Sequence, residues 1–226
     1  MVAIAAGVII LLVRGFRVSD LTTPKDNVNT PSVAVWLVKV PDYTTKMDAY
    51  KAAYSHTEDG FGVYVEPENE RWSWIVGVYD TEEEAETWRQ NTALPTNVTS
   101  SAYQITGKHF TLKKELATTA NQMLQLLLTI HQQLTATRAL VIAGENTANA
   151  VLTLTDSYQQ LRTAVDTLQT ANGTESSPLL ASLIYAGNQN ILALFDVVFA
   201  EPSQANEFLS LLNTALIKNI FSLDNW

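Results

Sequence analysis

Two stretches of the chain, 38 residues apart, share a pattern that few folds can accommodate. Residues 36–42 have the sequence WLVKVPD and residues 74–80 have WIVGVYD, so Trp, Val, Val and Asp recur in the same order. Runs rich in β-branched and aromatic residues are typical of strands. Each run precedes a helical stretch and then a second apolar segment, at residues 61–65 and 102–106. The chain therefore predicts an α+β fold whose first domain is a ferredoxin-like βαββαβ sheet with two helices on one face.

The starts of the two helical stretches carry local signals. Asp80 is followed three residues later by Glu83, which predicts a capping box with Asp80 as the N-cap and an acidic first turn that complements the helix dipole. In the first copy, Met47, Tyr50 and Tyr54 fall on one stripe at helical spacing. Both copies thus favour a strand that ends directly before a helix.

The second copy, WIVGVYDTEEEA at residues 74–85, resembles one half of the sporulation-related repeat (SPOR) domain, and the first copy is similar in its strand. The resemblance covers residues 32–108. It implies binding of bacterial cell-wall glycan strands stripped of their peptide stems, which directs such domains to division septa. The order of anchor, repeat and helical tail resembles that of membrane-anchored SPOR proteins in spore-forming bacteria.

The two faces of the predicted sheet differ in what can cover them. Alternation places these residues on the face covered by the two helices: Trp36, Val38, Val40, Trp74, Val76 and Val78. The opposite face must meet a ligand, a partner protein or the second half of the chain. As a glycan site it would offer Val35, Leu37 and Ile75 as an apolar platform, Lys39 and Ser73 as donors, Gly77 as room for a sugar ring, and Gln104 at the edge.

The second half of the chain, residues 111–226, has a different composition, rich in Thr, Gln, Leu and Ala. Apolar residues recur every three or four positions over residues 112–134 and again over 151–168, which predicts two amphipathic helices. Ser177 and Pro178 mark the start of a third helix, because proline is favoured at the first helical position. A fourth follows the break at Pro202, and four helices with short connections predict an antiparallel bundle.

The first 13 residues contain no charge and are apolar throughout. They are shorter than the ~20 residues that span a bilayer. A signal-peptide core and a buried strand are alternatives, but the expected assignment is a membrane anchor at residues 1–18, followed by a polar linker at 19–31. Arg14 and Arg17, taken alone, would place the remainder in the cytoplasm. The expected location is nevertheless the bacterial cell membrane, with a single pass and extracytoplasmic C-terminal domains.

The composition argues against several functions. A net charge of −9 and a pI near 4.7 disfavour nucleic acid as a partner. With no cysteine the chain has no thiol chemistry. The segment from His56 to Asp59 could supply metal ligands, but no second histidine lies at a suitable spacing, so a solvated loop is expected. Nucleotide-binding and hydrolase motifs are missing from the sequence, and the expectation is a non-enzyme without cofactor or metal.

Two functions therefore remain open from the sequence. The first is a membrane-anchored protein that binds septal peptidoglycan through the sheet and contacts an envelope, division or sporulation protein through the bundle. The second is an adaptor subunit of a membrane complex, in which the ferredoxin-like domain binds protein instead of glycan. Lys39, which stands where SPOR domains commonly have glycine, and the apolar free face favour the second.

Overall fold

In this computed structural model, the described residues are 24–92, 97–175, 177–200 and 204–224. Across them the chain is a mixed α+β fold with two antiparallel sheets and six helices. The predicted anchor at residues 1–18 lies outside the described residues.

The two sheets differ in size and in where their strands come from. The strands are β1 (Lys25–Asn29), β2 (Val33–Tyr43), β3 (Tyr64–Glu68), β4 (Arg71–Tyr79), β5 (Thr99–Ile105) and β6 (His109–Lys113). Four of them form one sheet in the order β3-β4-β2-β5, with every neighbouring pair antiparallel. Proline at position 67 is compatible with β3 because that strand lies at an edge.

The segment expected as a linker contains a strand. β1 pairs with β6 in a separate two-stranded sheet, with Val28 opposite Phe110. Val28 is fully buried in the same core as the C-terminal helices, and this burial explains why a polar-looking segment is held in place. Because β6 ends at Lys113, the helical part begins at Lys114 instead of residue 111.

The helices fall into two groups. They are α1 (Lys46–Ser55), α2 (Glu82–Asn91), α3 (Lys114–Ala143), α4 (Ala148–Glu175), α5 (Pro178–Val198) and α6 (Ala205–Asp224). The first two connect strands of the four-stranded sheet, and the last four pack in a ring in which each contacts the next and α3 closes on α6. Ser177 caps α5 through its side chain and Pro178 stands in the first turn, as predicted.

The short helix α1 approaches the sheet through small residues. Ala49 and Ala53 are fully buried, whereas Met47 and Tyr54 are exposed. The predicted stripe therefore faces outward, because alanine lets a helix backbone lie close to the strands. Thr45 caps this helix by accepting a hydrogen bond from the backbone N–H of Asp48.

One irregularity in the sheet changes which face a side chain occupies. The register between β2 and β4 shifts after Val38, which pairs with Gly77, whereas Lys39 pairs with Ile75. This β-bulge adds a residue to β4 and reverses the alternation beyond it. Val78 accordingly lies on the face opposite the two short helices, in contrast to the prediction, and packs with Leu37.

The ring of four helices is held in register by buried amides as well as by apolar contacts. The Asn219 side chain donates to the backbone oxygen of Leu127 at 3.1 Å and to Oδ1 of Asn190 at 2.8 Å. Both asparagines are buried. Each pairing joins two helices, and a shift along the axis would leave these amides without partners, so they favour one register.

Candidate functional site

The predicted apolar platform lies at the interface between the four-stranded sheet and the helices. Val35, Leu37 and Ile75 are each at most 2% exposed and belong to one core with residues of α3 and α6. The expectation of an open sugar platform is therefore wrong for these three residues. The helical half covers this face because each strand is apolar on both sides and needs a second layer.

The helix α6 is tied to the segment before β3 by three hydrogen bonds. Ser210 donates to the backbone oxygen of Phe61 at 2.6 Å, and the Asn213 amide donates to that of Gly60 at 2.9 Å. The backbone N–H of Val63 donates to Thr214 Oγ1 at 2.8 Å. Polar side chains of α6 thus satisfy backbone groups that the sheet leaves unpaired.

Glycine at position 62 permits this close approach. A Cβ there would lie 2.6 Å from Ile217 Cδ1 and 2.9 Å from the backbone oxygen of Val76. Real Cβ atoms do not come so near to a backbone oxygen, so any larger residue would force the segment before β3 away from β4, to which the Gly62 N–H donates, and would also crowd α6.

A buried arginine joins three elements at the same interface. Arg138 of α3 donates to the backbone oxygen of Val78 at 2.7 Å and to Oδ1 of Asn213 at 3.1 Å. Its guanidinium lies 4.5 Å from the ring centre of Tyr79, within range of a cation–π contact. Burial lowers the pKa of Arg138, and burial raises the pKa of Tyr79.

Asp80 takes part in this interface instead of capping α2. Its carboxylate contacts Nε2 of His131 on α3 at 3.0 Å, and that hydrogen bond holds the pKa of Asp80 below its usual range. The cap of α2 is Thr81, whose hydroxyl accepts from the backbone N–H of Glu84. The N-cap is therefore Thr81, one residue after the predicted Asp80. Asp80 is left free to contact His131 on α3.

The two predicted donors do come together, at the polar end of the same sheet face. The Lys39 ammonium contacts the Glu68 carboxylate, and Ser73 Oγ donates to the other oxygen of that carboxylate at 2.6 Å. These hydrogen bonds from Lys39 and Ser73 lower the pKa of Glu68. Glu66, on the same face of β3, is half-buried, and desolvation raises its pKa to about 7.

Three aromatic rings close the space between the polar end and the helices. Phe221 of α6 stacks on Tyr64 at 4.8 Å and contacts Tyr103 at 5.1 Å between ring centres. The Tyr103 hydroxyl donates to Asp224 Oδ2 at 2.5 Å. Burial is the main cause that raises the pKa of Tyr64 to about 12. The apolar part of the face is thus covered by α6. Only the polar group formed by Lys39, Glu66, Glu68 and Ser73 lies beyond it.

The remaining two predicted site residues do not join this group. A Cβ at Gly77 would lie 3.0 Å from the hydroxyl of Tyr79, so the space beside it is already filled by that ring. Gln104 is exposed, but Tyr103 beside it points to the bundle, so alternation turns Gln104 to the other face. The structure therefore leaves no room for a sugar ring at Gly77, whereas Gln104 lies on the edge strand β5 as expected but faces away from this group.

Sequence reasoning missed Glu66, Glu68 and Arg138. The two glutamates alternate with apolar residues in β3, a period of two that places them on one face. That signal was present in the sequence. Arg138 gave no signal, because a single cation in a helix is normally solvent-exposed.

The chain matches no protein-family model, no curated protein and no solved structure. Within the described residues, one helix, α5, is long and apolar enough to cross a bilayer, with 44% of its most apolar window buried inside the protein. A buried helix of a soluble bundle passes the same criterion.

Proposed function

We propose that the chain is a non-catalytic adaptor subunit of a bacterial membrane complex, anchored by residues 1–18, with its remaining domains outside the cytoplasm. In this proposal residues 32–108 are a ferredoxin-like domain that serves as an assembly module and binds protein instead of glycan. The strand order β3-β4-β2-β5, with α1 and α2 as its two crossover helices, supports the ferredoxin-like assignment.

The observation that carries the adaptor function is the burial of the sheet face that a glycan would need. Leu37, at the centre of that face, is 2% exposed beneath the helices. A sugar strand could reach it only if α6 moved away, which would break the bonds of Ser210 and Asn213 to the segment before β3. Uncovering this apolar area would also cost about 25 cal/mol for each Å² returned to water.

Purified cell-wall sacculi provide the test. The full-length chain would be incubated with sacculi before and after an amidase has removed the peptide stems, and the bound fraction measured by sedimentation. We expect removal of the stems to leave binding unchanged. An increase in binding on amidase-treated walls would contradict the adaptor function.

A matched pair of variants adds a second readout. Leu37→Asp places a charge in the sealed face, so we expect a large fall in melting temperature. Gln104→Asp, on an exposed position of the neighbouring strand, should leave it nearly unchanged. If Leu37→Asp melts like the parent chain, the face is open and the adaptor proposal loses its basis.

A second candidate function, binding of denuded septal glycan, is favoured by one specific observation. Lys39 and Ser73 lie together with Glu66 and Glu68 at the polar end of the face. Hydroxyl groups of a sugar are suited to such a mixture of donors and acceptors. Under this candidate function, Lys39→Ala would abolish the increase in binding to sacculi that follows removal of the peptide stems. It would also abolish septal localisation of a fluorescent fusion.

A further inference from the structure

An apolar surface is left uncovered on α5. Of the nine large apolar side chains that are well exposed in the described residues, five belong to this helix or to the residue that caps its C-terminus. They are Leu179, Tyr185, Leu192, Phe195 and Phe199. Exposed apolar residues gathered on one element indicate an interaction surface, whereas scattered ones need no explanation.

Four of these side chains lie on one face of the helix, which we call the α5 stripe: Tyr185, Leu192, Phe195 and Phe199. Their spacing of seven, three and four residues is that of a coiled-coil seam. Phe195 and Phe199 contact each other at 4.8 Å between ring centres, and the Phe199 ring lies 5.8 Å from that of Tyr158 on α4. The stripe is therefore a pre-formed aromatic surface.

The opposite face of α5 is already committed to the protein core. Leu183, Leu194 and Val197 are buried among the other helices. Asp196 is the single charged residue in the helix. A helix lying on an anionic membrane normally has several lysine and arginine residues beside its apolar face, whereas α5 has none and Arg162 of α4 approaches the stripe only through the ring of Tyr158. The stripe is thus better suited to an uncharged protein surface than to lipid headgroups.

We propose that a second copy of this chain docks on the α5 stripe, with the two α5 helices antiparallel across a two-fold axis near Leu192. Tyr185 and Phe199 each lie seven residues from Leu192. An antiparallel crossing centred there brings Leu192 against its own copy and Tyr185 of each chain against Phe199 of the other. A patch with this symmetry is self-complementary, as a two-fold interface requires.

The available area suffices for a weak dimer. Large aromatic side chains bury about 150–250 Å² each. The four side chains of the stripe are roughly half exposed, which amounts to about 450 Å² per copy on that scale. Two copies would bury about 900 Å² in total through these side chains, the size of a weak, transient interface. The interface does not depend on what the four-stranded sheet binds.

Because the chain has no cysteine, a single introduced thiol reports on the dimer. Leu192→Cys in the full-length chain should form a disulfide-linked dimer under mild oxidation at micromolar concentration. Met47→Cys is the matched control, since Met47 on α1 is 63% exposed and Leu192 is 59% exposed. Docking raises the effective thiol concentration to the millimolar range, so the Leu192→Cys variant should cross-link at least about tenfold faster than the Met47→Cys variant.

A second substitution tests the stripe itself. Adding Phe199→Glu to Leu192→Cys should slow cross-linking to the rate of the Met47→Cys control, while circular dichroism shows an unchanged helix content. Equal rates for the two single-thiol variants would overturn the proposal, as would fast cross-linking that survives Phe199→Glu. If phosphatidylcholine vesicles protect the Leu192→Cys thiol from oxidation, the stripe binds a membrane, and the proposal that a second copy docks there is overturned.

Discussion

Replacing Arg138 with alanine tests whether the sheet and the helices form one cooperative unit. The guanidinium makes two hydrogen bonds, to the backbone oxygen of Val78 and to the side chain of Asn213, and is 5% exposed. Hydrogen bonds from a charged group contribute about 1.5–3 kcal/mol each. Burial of the cation, which lowers the pKa of Arg138, offsets part of this sum. We therefore expect Arg138→Ala to lower the free energy of unfolding by about 2–4 kcal/mol.

Urea unfolding followed by two probes provides the assay. Tryptophan fluorescence reports mainly on residues 32–108, which contain four of the five tryptophans, and far-ultraviolet circular dichroism reports mainly on the helices. The two transitions should coincide in the parent chain and move together in the variant. Arg162→Ala is the matched control, because Arg162 is exposed and only lies over the Tyr158 ring at 5.9 Å, a contact worth about 0.5–1 kcal/mol. Equal effects of the two variants, or separate transitions in the parent chain, would refute the reasoning.

Two further predictions concern the sheet. Trp74→Ala removes a fully buried ring that donates to the backbone oxygen of Gly62 at 2.7 Å, so thermal melts should show that the free energy of unfolding falls by about 3–5 kcal/mol. Thr81→Ala removes only the cap of α2 and should lower it by about 1 kcal/mol. Equal losses in the two variants would contradict the burial of Trp74 or the capping role of Thr81. Burial raises the pKa of Glu66 to about 7 from 4.5, so the folded chain binds this proton more tightly and loses stability as pH rises through that interval. Glu66→Gln should remove this loss in urea titrations at a series of pH values, whereas Glu145→Gln, at an exposed position, should follow the parent chain.

The sequence predicted β2 and β4 well because their signal is local. The repeated Trp-x-Val-x-Val pattern marks β2 and β4, and Pro178 marks the start of α5, since each depends on a few neighbouring residues. The predicted second strand of the first copy, residues 61–65, is displaced to Tyr64–Glu68. Phe61 lies in the preceding loop, where it is buried against Trp74, so its apolar character signalled a core position and not a strand.

The candidate site could not be predicted in the same way, because its geometry depends on contacts far apart in the chain. Alternation placed Leu37 and Ile75 on the correct face, but the sequence left open whether that face meets a ligand, a partner or the chain's own helices. The β-bulge that turns Val78 toward the bundle depends on the register between two strands. Similarly, β1 looks polar in the sequence and is fixed by its pairing with β6.

Thiol labelling at a single position tests most directly whether the helices cover the sheet face. Leu37→Cys and Gln104→Cys each introduce one thiol into the cysteine-free full-length chain, the first at a sealed position and the second at an exposed one. Under native conditions a maleimide should label the Gln104→Cys variant at the rate of a free thiol, and should label the Leu37→Cys variant only after urea has unfolded the chain. Labelling of the Leu37→Cys variant as fast as the Gln104→Cys variant, in a chain whose circular dichroism is still native, would contradict the account.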